Sequence, residues 1–439
     1  MPACRSDARD AAARRSRWRD PAGSATIEGP ASIARRVRRQ PQECPVDRFE
    51  PNLRIPGPTA LPPTVREAGA RQMINHRGPE FAAMLARIVD GMRPFFGTTG
   101  DVAVLSCAGT GGLEAAVVNT LSPGDRVLGV SIGSFGDRFA KIASVYGADV
   151  VKVDVEWGRA ANPVAVRQTL IDQGPFRAAL LTHNETSTGV MNPIPELAAA
   201  IRESSPETLI LVDSVSALGA VPFAMDEWGV DVVVTGSQKA WMAAPGLAMV
   251  AASERGWAAM ETARMPRFYL DLRRHRDSHA GGETPWTPAI GVVYQVDEGI
   301  RLMHAEGADA VFARHEACAA ATRAGLAALG FELFADPRFA SRTVTCVRIA
   351  DGVDWKSVNA EVKRRGVVLA GGQGKLAGKV FRVGHLGSVT VEEILGAIAV
   401  LESVVIEQGA DVEPGSAVGA AQAAALGTRG IHRSAAATA

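Results

Sequence analysis

The chain has 439 residues, 47% of them hydrophobic, with 47 basic residues against 47 acidic ones and a net charge of +0. That length makes two domains, or three, at roughly 100–200 residues each, and the balanced charge argues against a protein built around nucleic acid or anionic lipid. No run approaches ~18 uncharged apolar residues, which speaks against a membrane span; the five scattered cysteines contain no CxxC pair, which speaks against a disulfide framework or a zinc cluster and fits a reducing cytosol.

The first fifty residues hold 11 Arg, no Lys and 7 acidic residues, a local charge of +4. Only Ser32 to Arg39 carries a helical pattern. Such a composition buries too little surface to offset chain entropy, so residues 1–50 read as a disordered Arg-rich extension. A transit peptide is the alternative, and Asp7, Asp10, Asp20 and Glu28 argue against it.

From residue 51 the chain alternates helix and strand. Glu80 to Met92 places Phe81, Met84, Leu85, Ile88, Val89 and Met92 on one helical face. A strand at Val102–Ser106 runs into Ala108-Gly109-Thr110-Gly111-Gly112, and a helix is expected from Leu113 to Leu121. Strands follow at Arg126–Ser131, Val150–Val155, Ala178–Thr182, Thr208–Val212, Asp231–Thr235 and Ala248–Ala252. Helices are expected at Asp137–Tyr146, Val164–Gln173 and Pro195–Glu203. This alternation implies an α/β domain with a mostly parallel sheet covered on both faces, its ligand at the carboxyl ends of the strands. After Pro288 the texture changes: a long Ala-rich helix (Ala308–Leu329) and strands at Val344–Ile349 and Val380–Val383 read as a smaller α+β domain. The expected division is 51–288 for the large domain, 289–406 for the small one and 407–439 for a flexible tail.

Four clusters carry candidate chemistry. Gly109, Thr110 and the glycines after them open a helix, where free N–H groups and the dipole suit a phosphate; a plain tight turn explains them as well. Asp213 ends the apolar run Leu209–Val212 and either caps the next segment or holds a protonated ring nitrogen. Lys239, in Thr235-Gly-Ser-Gln-Lys239, lies at the end of the next strand. The chain has only seven Lys against 40 Arg, and of the two only Lys forms a Schiff base; a solvated surface lysine is the plain alternative. Arg382, on an alternating strand in Phe381-Arg-Val-Gly-His-Leu-Gly387, either clamps a ligand carboxylate or makes a structural salt bridge. Taken together, a phosphate cradle, a pyridinium partner, an amine and a carboxylate clamp suit pyridoxal phosphate acting on an amino acid.

The run Thr235–Ala240, with Leu211-Val-Asp-Ser-Val215 upstream, resembles the class V, fold type I pyridoxal-phosphate aminotransferases. The resemblance is closest to the serine–, alanine– and aspartate–glyoxylate aminotransferases. It also rests on Ile55-Pro-Gly-Pro-Thr59, His76-Arg-Gly-Pro-Glu-Phe81, Thr182-His-Asn-Glu-Thr-Ser-Thr-Gly-Val190, Met225–Asp231, Thr284-Pro-Trp-Thr-Pro288 and Phe381–Gly387, in order over residues 51–406. It implies a seven-stranded sheet sandwiched by helices, a smaller C-terminal domain, and transfer of an amino group from serine, aspartate or alanine to glyoxylate. Lys239 would be the Schiff-base lysine and proton carrier, and Asp213 the partner of the pyridine nitrogen. Gly109, Thr110 and Gln238 would bind the phosphate, Thr186 the phenolic oxygen, and Phe135 and Val215 the two ring faces. Thr284 and Thr287 would reach the phosphate of a neighbouring subunit, which implies a homodimer or a dimer of dimers. Arg382 would hold the substrate carboxylate, with His76 and Arg77 lining the entrance. No metal, nucleic acid or membrane partner is implied, and the compartment is expected to be cytoplasmic. Ala108 stands where many relatives carry a small hydroxyl. Sibling transaminations (pyridoxamine–pyruvate, ureidoglycine–glyoxylate) would keep every one of these residues. A cysteine desulfurase-like reaction would need a reactive thiol from Cys318 or Cys346, and a cofactor-binding DNA regulator would need a helix-turn-helix, which the sequence lacks.

Overall fold

The computed structural model describes residues 50–350 and 352–436. The Arg-rich extension, with its Ser32–Arg39 pattern, lies outside the described residues. The elements run β1 (Asn52–Arg54), α1 (Pro63–Gly69), α2 (Pro79–Phe96), β2 (Val102–Leu105), α3 (Gly109–Thr120), β3 (Arg126–Ser131), α4 (Ser134–Val145), β4 (Asp149–Asp154), α5 (Pro163–Gln173), β5 (Ala178–Thr182), β6 (Asn184–Glu185), β7 (Val190–Met191) and α6 (Ile194–Ser204). They continue through β8 (Leu209–Asp213), β9 (Val232–Gly236), β10 (Ala248–Ala252), α7 (Glu254–Thr262), α8 (Leu272–Ala280), α9 (Ile290–Glu306), α10 (Ala308–Ala328), β11 (Val344–Arg348), α11 (Trp355–Arg364), β12 (Val367–Gly371), β13 (Val380–Gly384), α12 (Val391–Glu407) and α13 (Ser416–Ala436).

Seven strands form one sheet in the order β2-β10-β9-β8-β5-β3-β4, parallel throughout except for β10, which is antiparallel to both its neighbours. Every residue of β5, β8, β9 and β10 is buried, as strands covered on both faces require. The edge strand β4 alternates instead and exposes Asp149 and Asp154, charges that blunt an open edge. On one side, α2 buries Phe81, Met84, Leu85, Ile88 and Met92, the face its spacing foretells.

The domain limits differ from expectation in three places. Strand β1 pairs in parallel with β12, Asn52 opposite Val367, so the N-terminal segment joins the smaller sheet β1-β12-β13-β11. Helix α9 buries Val293, Val296, Ile300 and Met303 in the same core as α2, which places 290–306 with the large domain. The core changes along α10, where Val311 belongs to the large domain and Ala317, Cys318 and Ala321 to the small one.

The third difference is the tail, where Ser416–Ala436 form a helix. Helix α13 buries Ala417, Ala421 and Ala425, one residue per turn, in one core with the Ala-rich face of α10. Side chains this small let two helices approach closely. Buried Glu402 fastens the start of α13, accepting from Gly415 N at 3.1 Å and Ala417 N at 2.8 Å, where a carboxylate also meets the positive end of the dipole.

Candidate active site

The parallel sheet delivers the site. Strands β8 and β9 are neighbours, with Asp213 opposite Val234, so Asp213 and the Ser237-Gln238-Lys239 segment leave the sheet at one edge. Strand β5 ends beside them, Thr182 opposite Asp213, and feeds the 183–186 segment into the same space. A cavity there is lined by Gly109, Thr110, Phe135, Thr186, Asp213, Val215, Gln238 and Lys239, together with Ala108, Arg138, Asn184 and Ser216. The structure thus brings together Lys239, Asp213 and six further residues expected of a cofactor pocket.

Asp213 is buried and accepts from Val215 N at 3.0 Å. Burial pushes its carboxyl up to about 7, and nearby Lys239 and Arg138 draw it back down. Burial likewise lowers the Lys239 ammonium to about 8, against the opposing pull of Asp213. Lys239 Nζ donates to the Pro56 carbonyl. The segment around Pro56 straps the lysine from outside: Thr59 N donates to Gln238 O at 3.1 Å and Thr59 Oγ1 to Lys239 O at 3.1 Å.

The glycines are the first turn of α3 rather than a loop before it. Packing requires them. A β-carbon at Gly112 would lie 2.7 Å from Val234 Cγ1, and one at Gly109 would lie 2.9 Å from Val215 Cγ2. Ala108 stands at the N-cap with no side-chain cap to offer, so the first turn meets the cavity with N–H donors that an anion satisfies.

Phe135 owes its place to a residue the sequence reading left without a role. Buried Glu185 caps α4, accepting from Phe135 N at 2.8 Å and Gly136 N at 3.1 Å, and from Ser187 N at 3.0 Å and Ser187 Oγ at 2.6 Å. Arg138, also without an assigned role, lies 4.7 Å from the Phe135 ring centre and donates to Thr110 Oγ1 at 3.2 Å. Asn184 completes the unassigned set. Glu185 and Asn184 both fall within Thr182–Val190, and buried polar residues after an apolar strand were the available signal.

Arg382 lies in β13, buried, and makes no ion pair among the described residues, so the salt-bridge reading fails. Backbone carbonyls hold it instead: Nε and Nη2 donate to Gly371 O at 2.9 and 2.7 Å, and Nη1 to Thr186 O at 3.1 Å. Burial lowers the Lys239 ammonium first, and the Arg382 charge adds to that effect.

Five expected residues do not line this cavity within one chain: Arg382, which reaches it only through the Thr186 backbone, and His76, Arg77, Thr284 and Thr287. Arg77 is exposed and pairs with Glu283, which joins the His76-Arg77 turn to the 283–287 segment. Thr284 is buried and donates to Trp286 O at 2.7 Å, and Thr287 is exposed. Cys318 and Cys346 are buried, and burial raises both thiols to about 12, which removes support for thiolate chemistry.

The aminotransferase class-V family model matches residues 64–385. A protein named soluble hydrogenase, small subunit, from a Synechococcus species is 40% identical over 84% of this chain and 97% of its own length. The L-aspartate–glyoxylate aminotransferase of Paracoccus denitrificans is 39% identical over 84% of this chain and 94% of its own. The solved structure of pyridoxamine–pyruvate aminotransferase from Mesorhizobium loti superposes with a TM-score of 0.81 at 29% identity, covering 86% of this chain and 97% of that one.

Proposed function

The chain belongs to the class V aminotransferases, pyridoxal-phosphate enzymes, and from that premise we propose that it moves the amino group of a small L-amino acid to glyoxylate. The donor, serine, aspartate or alanine, leaves as its 2-oxo acid, and glyoxylate leaves as glycine. The observation that carries this reading is the buried Lys239–Asp213 edge together with Arg382, whose guanidinium is tied to the backbone of Thr186, a residue of the same cavity, and has no ion pair among the described residues. A short acceptor with one carboxylate needs one such clamp and little more space.

The residues suit the cofactor. Gln238 Oε1 and Asn184 Oδ1 are buried beside the cavity without partners, and the α3 terminus offers donors where a phosphate would sit. Gly109, Thr110 and Gln238 would hold the phosphate, Thr186 the phenolic oxygen, Asp213 the ring nitrogen, and Phe135 and Val215 the ring faces. When bound, pyridoxal phosphate supplies an aldehyde that captures amines reversibly and a ring that draws off electrons. Lys239 anchors it and then serves as the base for the donor's α-proton. An ammonium brought down to about 8 leaves a usable neutral fraction near neutral pH. Arg382 orients the substrate through its carboxylate. Thr284 and Thr287 reach the phosphate of a second copy of the chain in a homodimer, and the adjoining His76 and Arg77 line the entrance there.

The test is to supply purified protein and pyridoxal phosphate with glyoxylate and, separately, serine, aspartate and alanine, and to quantify glycine. Glycine from one donor assigns the reaction. The likeness to a pyridoxamine–pyruvate enzyme favours a second reading, in which pyruvate is the acceptor. Cofactor binding without glycine from any donor would move the assignment there.

A further inference from the structure

Asn184 lines the cavity, and its partners fix the direction its carboxamide faces. Nδ2 donates to Ser216 Oγ at 2.8 Å and to Thr343 Oγ1 at 3.0 Å. Both hydroxyls have already committed their hydrogens: Ser216 Oγ donates to the Asn184 carbonyl at 2.9 Å, and Thr343 Oγ1 to the Ser216 carbonyl at 2.9 Å. Each can offer Asn184 only a lone pair. The amide nitrogen faces them in this network, and the Ser216 carbonyl at 3.4 Å, which can only accept, supports the same orientation with the oxygen facing away. The lock draws on both domains, since Ser216 follows β8 while Thr343 precedes β11 and accepts from His385 N at 3.0 Å.

The oxygen so oriented, Oδ1, has no hydrogen-bond partner, and the residue is 4% exposed. A buried carbonyl oxygen without a donor is costly, and one beside a ligand cavity is satisfied when the ligand brings an N–H or O–H. Two residues further on, the Thr186 carbonyl holds Arg382, so this acceptor and the carboxylate clamp sit on the same short segment.

We propose that Asn184 is a ligand-binding residue of this site, its carboxamide oxygen accepting a hydrogen bond from a donor group on the bound cofactor or on the amino-acid substrate. The assignment rests on the reading that the cavity takes pyridoxal phosphate and an amino acid. Two variants test it: Asn184→Ala removes the acceptor, and Thr343→Val, close to isosteric, removes half of the lock while leaving Asn184 in place. For each, pyridoxal phosphate is titrated into the apoprotein to give Kd. The KM and kcat are then measured at saturating cofactor with whichever amino donor the wild type turns over, and Tm is recorded alongside.

A roughly tenfold rise of one constant in Asn184→Ala is the expected result, being the size of one lost hydrogen bond. A rise in cofactor Kd assigns the donor to the cofactor, and a rise in donor KM with kcat held assigns it to the substrate. Thr343→Val shifts the same constant in the same direction by less. Both constants within about twofold of wild type in the two variants would overturn the proposal, whatever happens to Tm. If Asn184→Ala does not fold, Thr343→Val decides alone by the same criterion. If the wild type turns over no donor, the functional reading fails on its own terms, and the cofactor titration decides for Asn184.

Discussion

Gly57 lies against the lysine: a β-carbon there would stand 2.6 Å from Lys239 Nζ and 2.8 Å from Lys239 Cε, on a backbone with φ of +129°. The amine and the strap that carries Pro56 share a space that only glycine leaves open. Gly57→Ala is expected to displace the amine and to strain the backbone. It should cost about 1–3 kcal/mol of stability, read by urea unfolding. Turnover should fall by about a hundredfold, read by initial rates at saturating cofactor, the scale on which a displaced catalytic group is felt.

Glu185 supports the site from beneath, with four donors converging on one buried carboxylate. Glu185→Ala leaves those donors unpaired and should lower stability by about 3 kcal/mol, with Glu185→Gln losing less because it keeps an acceptor in place. The same carboxylate helps to hold the Asp213 carboxyl up at about 7. Glu185→Gln should therefore let the Asp213 carboxyl fall, which a carboxyl-labelled NMR titration reads directly.

Much of the fold was legible because parallel strands advertise themselves. Strands β3 and β5 have the limits expected of them, and their buried interiors, Val127–Val130 and Ala178–Leu181, are the apolar runs that cover on both faces requires. The same logic puts Asp213 and Lys239 at one edge, each at or just after the end of an apolar strand. What escaped depends on distant partners. The helix was expected from Leu113 and begins at Gly109, and the close approach of Val215, Val234 and Ala248 leaves no room for side chains at Gly109 and Gly112. Three residues of β1 find their partners at 367–369. The Ala-rich C-terminal stretch read as a flexible tail because its partner face lies on α10, about a hundred residues earlier. Asn184, Glu185 and Arg138 drew no role because each acts through neighbours on other elements: Ser216 and Thr343, the first turn of α4, and Thr110.

Arg382 is placed by carbonyls rather than by a carboxylate, so its replacement should tell in binding. Arg382→Lys cannot span Gly371 O and Thr186 O while also presenting a flat fork to a ligand carboxylate. It should lower kcat/KM by about a hundredfold or more, mainly through KM for both the amino acid and the oxo acid. The affinity for pyridoxal phosphate should stay within about twofold of wild type. Equilibrium titration and steady-state kinetics separate the two.

The Lys239 ammonium, lowered by burial from 10.5 to about 8, sets a pH profile for cofactor capture. Below pH 8 the amine carries its proton and cannot attack, and each unit lower reduces the neutral fraction about tenfold. Capture of pyridoxal phosphate by apoprotein should therefore quicken with pH up to about 8 and level off above it, followed by stopped-flow absorbance. Asp213 favours the charged ammonium. Asp213→Asn removes that pull, and its plateau should begin at lower pH.

Every role proposed for this site depends on Lys239 being the amine that captures the cofactor. Intact and peptide mass measurement after borohydride reduction of the cofactor-loaded protein tests it most directly, with Lys239→Ala alongside. The expected result is one pyridoxyl group, on the peptide containing Lys239, and neither label nor transaminase turnover in Lys239→Ala. A label on another lysine, or a Lys239→Ala protein that still takes the label and turns over, would contradict it.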